Sequence, residues 1–314
     1  MKTLIRSLKM AAFAATLTFT AMSAHALTIG FSQIGAESAW RTAETQSIRA
    51  EAEARGYTLR FSDAQQKQEN QIKAIRSFIA QGVDGIILAP VVETGWERVL
   101  REAQRANIPV VLVDRGIEVS DDSLYTTLVA SDFVFEGRLA GTWLAQATDG
   151  HANIVELQGS PGAAPAIDRR AGFNEVVDMF DGMTVIASQT GEFTRTRGKE
   201  VMEAFLKAHG DSIDAVYAHN DDMALGAIQA IKEYGLNPAQ DIKVISIDGV
   251  RSAFEAMAEG ELNASVECNP LLGPLAFDML ERAINGEDVD KWVVQRDRIY
   301  TMQQAAEVID ERQY

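Results

Sequence analysis

The sequence predicts an α/β protein of two lobes, each a parallel sheet covered by helices on both faces. Short apolar runs alternate with stretches of helical period, about four times on each side of residue 130. The length of 314 residues is too great for one ordinary core and suits two domains. A strand that must return parallel to its neighbour needs a long crossover, and a helix supplies it. Right-handed crossovers follow.

The first set of strands reads as LTIGFS (27–32), TLRFS (58–62), GIILA (85–89) and VVLV (110–113). The second reads as NIVEL (153–157), TVIAS (184–188), AVYA (215–218) and KVISI (243–247). Between them, Ile72, Ile75, Phe78 and Ile79 share a helical face, as do Val201, Ala204, Phe205 and Ala208, and Ala224, Ala227, Ile228 and Ile231. Phe135, Leu139 and Trp143, spaced by four, form a further stripe, and all four stripes are expected to face the core. TTLVASD (126–132), NASVECNP (263–270) and WVVQRDRIY (292–300) read as three connections between the lobes, close enough to make a hinge. The expected lobes are 27–129 plus 270–292 and 130–269 plus 293–314.

Residues 1–26 read as a leader removed on export. Lys2, Arg6 and Lys9 precede the apolar run 10–22, and Ala24-His25-Ala26 offers a cleavage site. The run is too short to span a bilayer, which takes about 20 residues. No cysteine follows the cleavage site to carry a lipid, and the single Cys268 allows no internal disulfide. An exported, periplasmic, soluble monomer without direct membrane insertion is expected. The net charge of −16 argues against nucleic acid, whose phosphates need Lys and Arg.

Ligands of open parallel sheets sit beyond the carboxyl ends of the strands. The residues found there are Glu37, Trp40 and Arg41 after the first run, Asp114 and Arg115 after the fourth, and Asp168, Arg169 and Arg170 in a helix after NIVEL. His219, Asn220, Asp221 and Asp222 follow AVYA, and Asp248 follows KVISI. Asp221 and Asp222 read first as charges complementing a helix N-terminus, and Asp248 before Gly249 reads equally well as a turn residue. As a set, these planar polar groups suit paired hydroxyls, and Trp40 suits the C–H face of a sugar. No nucleophile elbow, Walker loop or dinucleotide motif is present, and His151, His209 and His219 are too scattered for a zinc set. No cofactor or metal is expected. Paired carboxylates near a sugar admit a glycosidase by spacing, but neighbouring arginines hold carboxylates ionised, which suits gripping.

QENQIKAIRSFIAQGVDGIILAP, VDRG, AIDRRAGF, AHNDDMALGAIQAI and ISIDGV, in that order, resemble the periplasmic sugar-binding proteins of the ribose- and galactose-binding type. IGFSQIGAESAWRTAE, GEFTRTRGKEVMEAF and YAHNDDMALGAIQAIKE are similar to the galactofuranose-binding component of an ABC transporter. The resemblance implies a type I periplasmic binding protein: two Rossmann-like lobes joined by a three-strand hinge that close over one monosaccharide and deliver it to a membrane permease. It implies ligand contacts from Glu37, Ser38, Ala39, Trp40, Arg41, Asp114, Arg115, Arg169, Phe193, Asn220 and Asp248. Phe193 matches a stacking aromatic. Ala39 stands where the closer relative has Gly, and Cys268 and Asn269 stand where the ribose type has Gln and Leu. Galactofuranose is the implied ligand, with another furanose or a pentose, or presentation to a chemoreceptor, as alternatives.

Overall fold

A computed structural model describes residues 26–314. The leader expected at 1–26 therefore lies, all but its last residue, outside the described residues. The first half runs β1 (Thr28–Gln33), α1 (Ala39–Ala54), β2 (Thr58–Asp63), α2 (Gln68–Gln81), β3 (Gly85–Leu88), α3 (Glu97–Arg105), β4 (Val110–Val113) and β5 (Thr127–Ser131). The second runs α4 (Phe133–Ala147), β6 (His151–Gln158), α5 (Ala164–Val177), β7 (Gly182–Thr190), α6 (Arg195–His209), β8 (Ala215–Ala218), α7 (Asp221–Tyr234), β9 (Lys243–Asp248), α8 (Arg251–Ala258) and β10 (Ala264–Glu267). Then come α9 (Gly273–Ile284), β11 (Trp292–Gln295), β12 (Ile299–Thr301) and α10 (Met302–Val308).

Two six-stranded sheets result, ordered β11-β5-β4-β3-β1-β2 and β12-β10-β9-β8-β6-β7. Every pairing is parallel except β10 with β12. The chain passes between sheets after β5, after β10 and after β11. In the first sheet, alternate residues enter opposite layers, so each face needs an apolar cover. Ile87, Val111 and Val113 join Ile48 of α1 and Phe277 and Leu280 of α9. Ile86, Leu88, Val110 and Leu112 join Ile75 and Phe78 of α2 and Val99 and Leu100 of α3.

Two expected core stripes are corrected. On α6, Ala204 and Ala208 are exposed and the buried face is instead Gly198, Val201, Met202, Phe205 and Leu206, since the larger side chains fill the core and the alanines are left to solvent. The other lies on α4. Phe135 is 43% exposed, and Leu139 and Trp143 are only partly buried. The buried face of α4 instead presents Glu136, Gly137, Ala140, Gly141 and Leu144. The reason is a close approach of α4 to α5: a Cβ on Gly137 would stand 2.2 Å from the Arg169 carbonyl oxygen, and one on Gly172 would stand 2.0 Å from that of Val134. Backbones that near leave no room for large side chains, and the close approach also brings Arg169 beside Glu136.

Candidate functional site

The carboxyl ends of both sheets face each other across a narrow cavity. Glu37, Ser38, Trp40 and Arg41 reach it from the β1–α1 junction, and Asp114 and Arg115 from the end of β4. Arg169 enters from α5, Phe193 from the loop after β7, Asn220 from the end of β8 and Asp248 from the end of β9. Of the eleven ligand contacts that the resemblance implies only Ala39 is absent from the lining; its N–H donates to Asp222 Oδ2 at 2.9 Å. Pro165 and Cys268 line the cavity as well. Of the other strand-end polar residues, His219, Asp221 and Asp222 do not line it. Asp168 lies in a neighbouring crevice between the lobes, and Arg170 is exposed.

Three lining residues hold a left-handed backbone: Asp114 at φ 63°, Phe193 at 61° and Asp248 at 130°. Such conformations cost about 1–3 kcal/mol each and persist where the surroundings fix them, typically at ligand clamps. At Phe193 the cause is visible. Its ring lies against Gly159, where a Cβ would come within 1.9 Å of ring carbon Cζ. The Arg115 guanidinium stands 5.3 Å from the ring centroid.

Arg41, 3% exposed, is the hub of the first half-site. Its Nε meets Glu37 at 3.1 Å, Nη1 meets Glu44 at 2.5 Å, and Nη2 meets Asp114 at 2.6 Å. Burial pushes the Glu44 carboxyl up to about 7, against the pull of Arg41. Arg115 donates to the Val91 carbonyl at 3.1 Å; burial and then the neighbouring Arg41 lower it to about 10, so it stays charged at neutral pH. Trp40 Nε1 donates to the Cys268 carbonyl at 2.6 Å, which fixes the indole across the gap between lobes.

Arg169 organises the other half-site. Its Nε meets Glu136 at 2.7 Å, Nη1 donates to the His219 carbonyl at 2.6 Å, and Nη2 lies 3.7 Å from Asp248. Burial raises Glu136 and Asp248, and Arg169 opposes it at both. Two predicted ligand residues also cap helices, Ser38 at α1 and Asn220 at α7. Asn220 Oδ1 accepts from Met223 N–H while Nδ2 donates to the Phe193 carbonyl. Each nevertheless keeps a donor: the Ser38 hydroxyl proton and the second N–H of Asn220. Asp221, which reads from sequence as a helix-terminal charge, is buried and accepts from Ser246, from Ser265 at 2.7 Å and from Val250 N–H at 2.9 Å, tying the ends of β9 and β10.

Among the described residues, Glu37 and Arg115 line this cavity, and each has a buried atom without a hydrogen-bond partner, Glu37 Oε2 and Arg115 Nε, the latter 3.5 Å from Asp114 Oδ2. One acceptor and one donor, each on a charged lining residue, are thus left without a hydrogen bond. Buried groups of this kind cost stability unless something polar completes them. With Trp40 and Phe193 as apolar walls, the cavity suits a small polyol with an apolar face. The described residues contain no group of His, Cys, Asp and Glu placed to hold a metal. No helix among them is long and apolar enough to cross a membrane.

The sequence reading missed Pro165, Glu44 and Glu136, and treated Cys268 only as an altered wall residue. Glu44 was within reach, since it stands three residues after Arg41 on one helix and such pairs touch. Glu136 carried no signal, for its partner Arg169 comes from another helix.

The periplasmic binding protein domain matches residues 29–288. The chain is 52% identical to the galactofuranose-binding protein YtfQ of Escherichia coli (strain K12), over 98% of each chain. It is similar to the periplasmic binding component of the arabinose ABC transporter from Shewanella sp. ANA-3, solved with α- and β-L-arabinofuranose. That likeness has a TM-score of 0.89 and 56% identity, covering 91% of this chain and 95% of that one. A Mycobacterium smegmatis structure in complex with β-D-fucofuranose gives a TM-score of 0.90 at 49% identity, over 92% and 96%.

Proposed function

The chain belongs to the periplasmic binding protein family, and from that premise we propose that it is the exported receptor of a sugar importer. It closes two lobes over one monosaccharide in the furanose ring form and hands it to the membrane permease of an ABC transporter. The lobe division is part of this reading: the expected boundaries at 129/130 and 292/293 move to the ends of β5 and β11, because both strands pair within the first sheet, and the crossing segments act as hinges. So are the periplasmic location, the monomeric state and the absence of catalysis.

The observation that carries the reading is a pair of lining residues, Glu37 and Arg115, each with a buried atom lacking a hydrogen bond (Oε2 and Nε), in a cavity walled by Trp40 and Phe193. A hydroxyl both donates and accepts, so adjacent hydroxyls complete a carboxylate and a guanidinium together. The sugars named for the three relatives share the furanose ring and differ in substituents. Galactofuranose is the best candidate, and L-arabinofuranose is next. Each half-site is incomplete alone, so the sugar binds the closed state more tightly and shifts the population toward it. Asp114 and Asp248 each lie against a guanidinium, Arg41 at 2.6 Å and Arg169 at 3.7 Å, an arrangement suited to gripping hydroxyls.

The test is calorimetric titration of purified protein with L-arabinose and D-galactose, which populate furanose rings in water, and with methyl pyranosides, which cannot. Binding of the free sugars alone, followed by release of chemically unchanged sugar, is expected. Binding of the locked pyranosides, or of no sugar, overturns the furanose reading; an altered sugar overturns the receptor reading.

A further inference from the structure

Asp222 stands beside the site and does not line it. It is the second residue of α7, is 6% exposed, and belongs to the lobe of β6–β10. Its Oδ1 accepts from Arg195 Nε at 3.2 Å and Nη2 at 3.0 Å, both within its own lobe. Its Oδ2 crosses to the opposite lobe and accepts from the Ala39 N–H at 2.9 Å. Ala39 is the first residue of α1. Helix-terminal N–H groups lack intrahelical partners, and the positive end of the helix favours a carboxylate. The capping Ser38 side chain serves the Arg41 N–H instead.

We infer that Asp222 is a positioning residue that latches the lobes shut and sets ligand affinity without touching ligand. The inference rests on the reading of the cleft as a sugar site. The segment it grips, the N-terminus of α1, carries Glu37, Trp40 and Arg41 into the cavity. When the lobes part, the Ala39 N–H passes to water while Asp222 keeps Arg195, so this hydrogen bond belongs to the closed state alone. A contact made in only one of two states shifts the equilibrium between them by its own strength.

The test is a double-mutant cycle read as Kd for L-arabinose. Asp222→Ala removes the acceptor. Ala39→Pro removes the donor at a helix position where proline is favoured, and the extended backbone of Ser38 suits a following proline. Each change is expected to raise Kd about tenfold, the double change no more than either alone, and Asp222→Asn, which keeps an acceptor oxygen, by about threefold or less. Unchanged Kd values, or single effects that multiply to about a hundredfold, overturn the latch. If the wild type binds no sugar, the proposed function fails and the latch is decided without ligand. Spin labels at Arg60→Cys and Lys207→Cys, both exposed and one on each lobe, then report the closed population. A larger closed fraction in wild type than in Asp222→Ala sustains the latch, and equal fractions refute it.

Discussion

Asp114→Ala separates gripping from folding. Asp114 is 4% exposed and bonded to Arg41 at 2.6 Å, yet its removal does not strand that guanidinium, because Glu37 and Glu44 remain on it. The left-handed backbone of Asp114 costs an alanine about 1–2 kcal/mol. Against that small loss stand the hydrogen bonds that, under the proposed function, its carboxylate would make to ligand hydroxyls, worth about 1.5–3 kcal/mol each when charge-assisted. Two of them make a change of at least ~3 kcal/mol, or roughly a hundredfold in Kd. With sugar at about 100 times the wild-type Kd, the wild type gains ~2.7 kcal/mol and the variant only ~0.4 kcal/mol. At about 2 °C per kcal/mol for a chain of this size, the melting shift falls from ~5 °C to under ~1 °C. Differential scanning fluorimetry with and without L-arabinose measures both terms. A variant that melts well below wild type and still shows the full ligand shift would mean that Asp114 only holds Arg41 in place.

Gly159→Ala drives a methyl into the Phe193 ring; affinity is expected to fall about tenfold with ~1–3 kcal/mol of overpacking, and adding Phe193→Leu should restore stability but not affinity. Recovery of both by the second change refutes a role for the ring in binding. Glu44 titrates near 7 in the folded chain against 4.5 ordinarily. The folded state therefore holds a proton that the unfolded state has lost, so this group's stabilisation is full below pH 4.5 and fades as pH rises through 7. Glu44→Gln should remove that decline, seen as a wild-type-minus-variant difference in urea midpoints between pH 4.5 and 7.5; a flat difference contradicts it. Arg169→Leu leaves Glu136 buried and unpaired, expected to cost about 3–5 kcal/mol in urea unfolding, and Glu136→Gln in the same chain should return much of it.

Apolar runs located eight of the twelve strands, most clearly where a strand buried on both faces is apolar throughout, as in Val110–Val113. The end of each run then pointed to the site, since chain direction alone puts ligand groups there. Sequence reading went astray where burial did not follow hydrophobicity. On α4 it weighed Phe135 and Trp143, whereas the packed face is made by Gly137, Gly141 and the charged Glu136. Glycine carries no apolar signal, and a carboxylate in mid-helix reads as solvent-facing unless its partner is known. Asp222 read as a helix-terminal charge for the same reason: Ala39 lies far away in sequence, and only tertiary structure joins them.

The strand order also governs when each lobe can be completed. The first sheet begins at residue 28, but its outer strand β11 is residues 292–295, and α9, which supplies Phe277 and Leu280 to its core, ends at residue 284. A nascent chain of about 260 residues thus has a bare sheet face and an open edge, although most of that lobe has been synthesised. The second sheet waits equally for β12 at 299–301. Neither half can finish folding before nearly the whole polypeptide exists, which keeps the chain loose through synthesis, the condition in which a polypeptide can be threaded across a membrane.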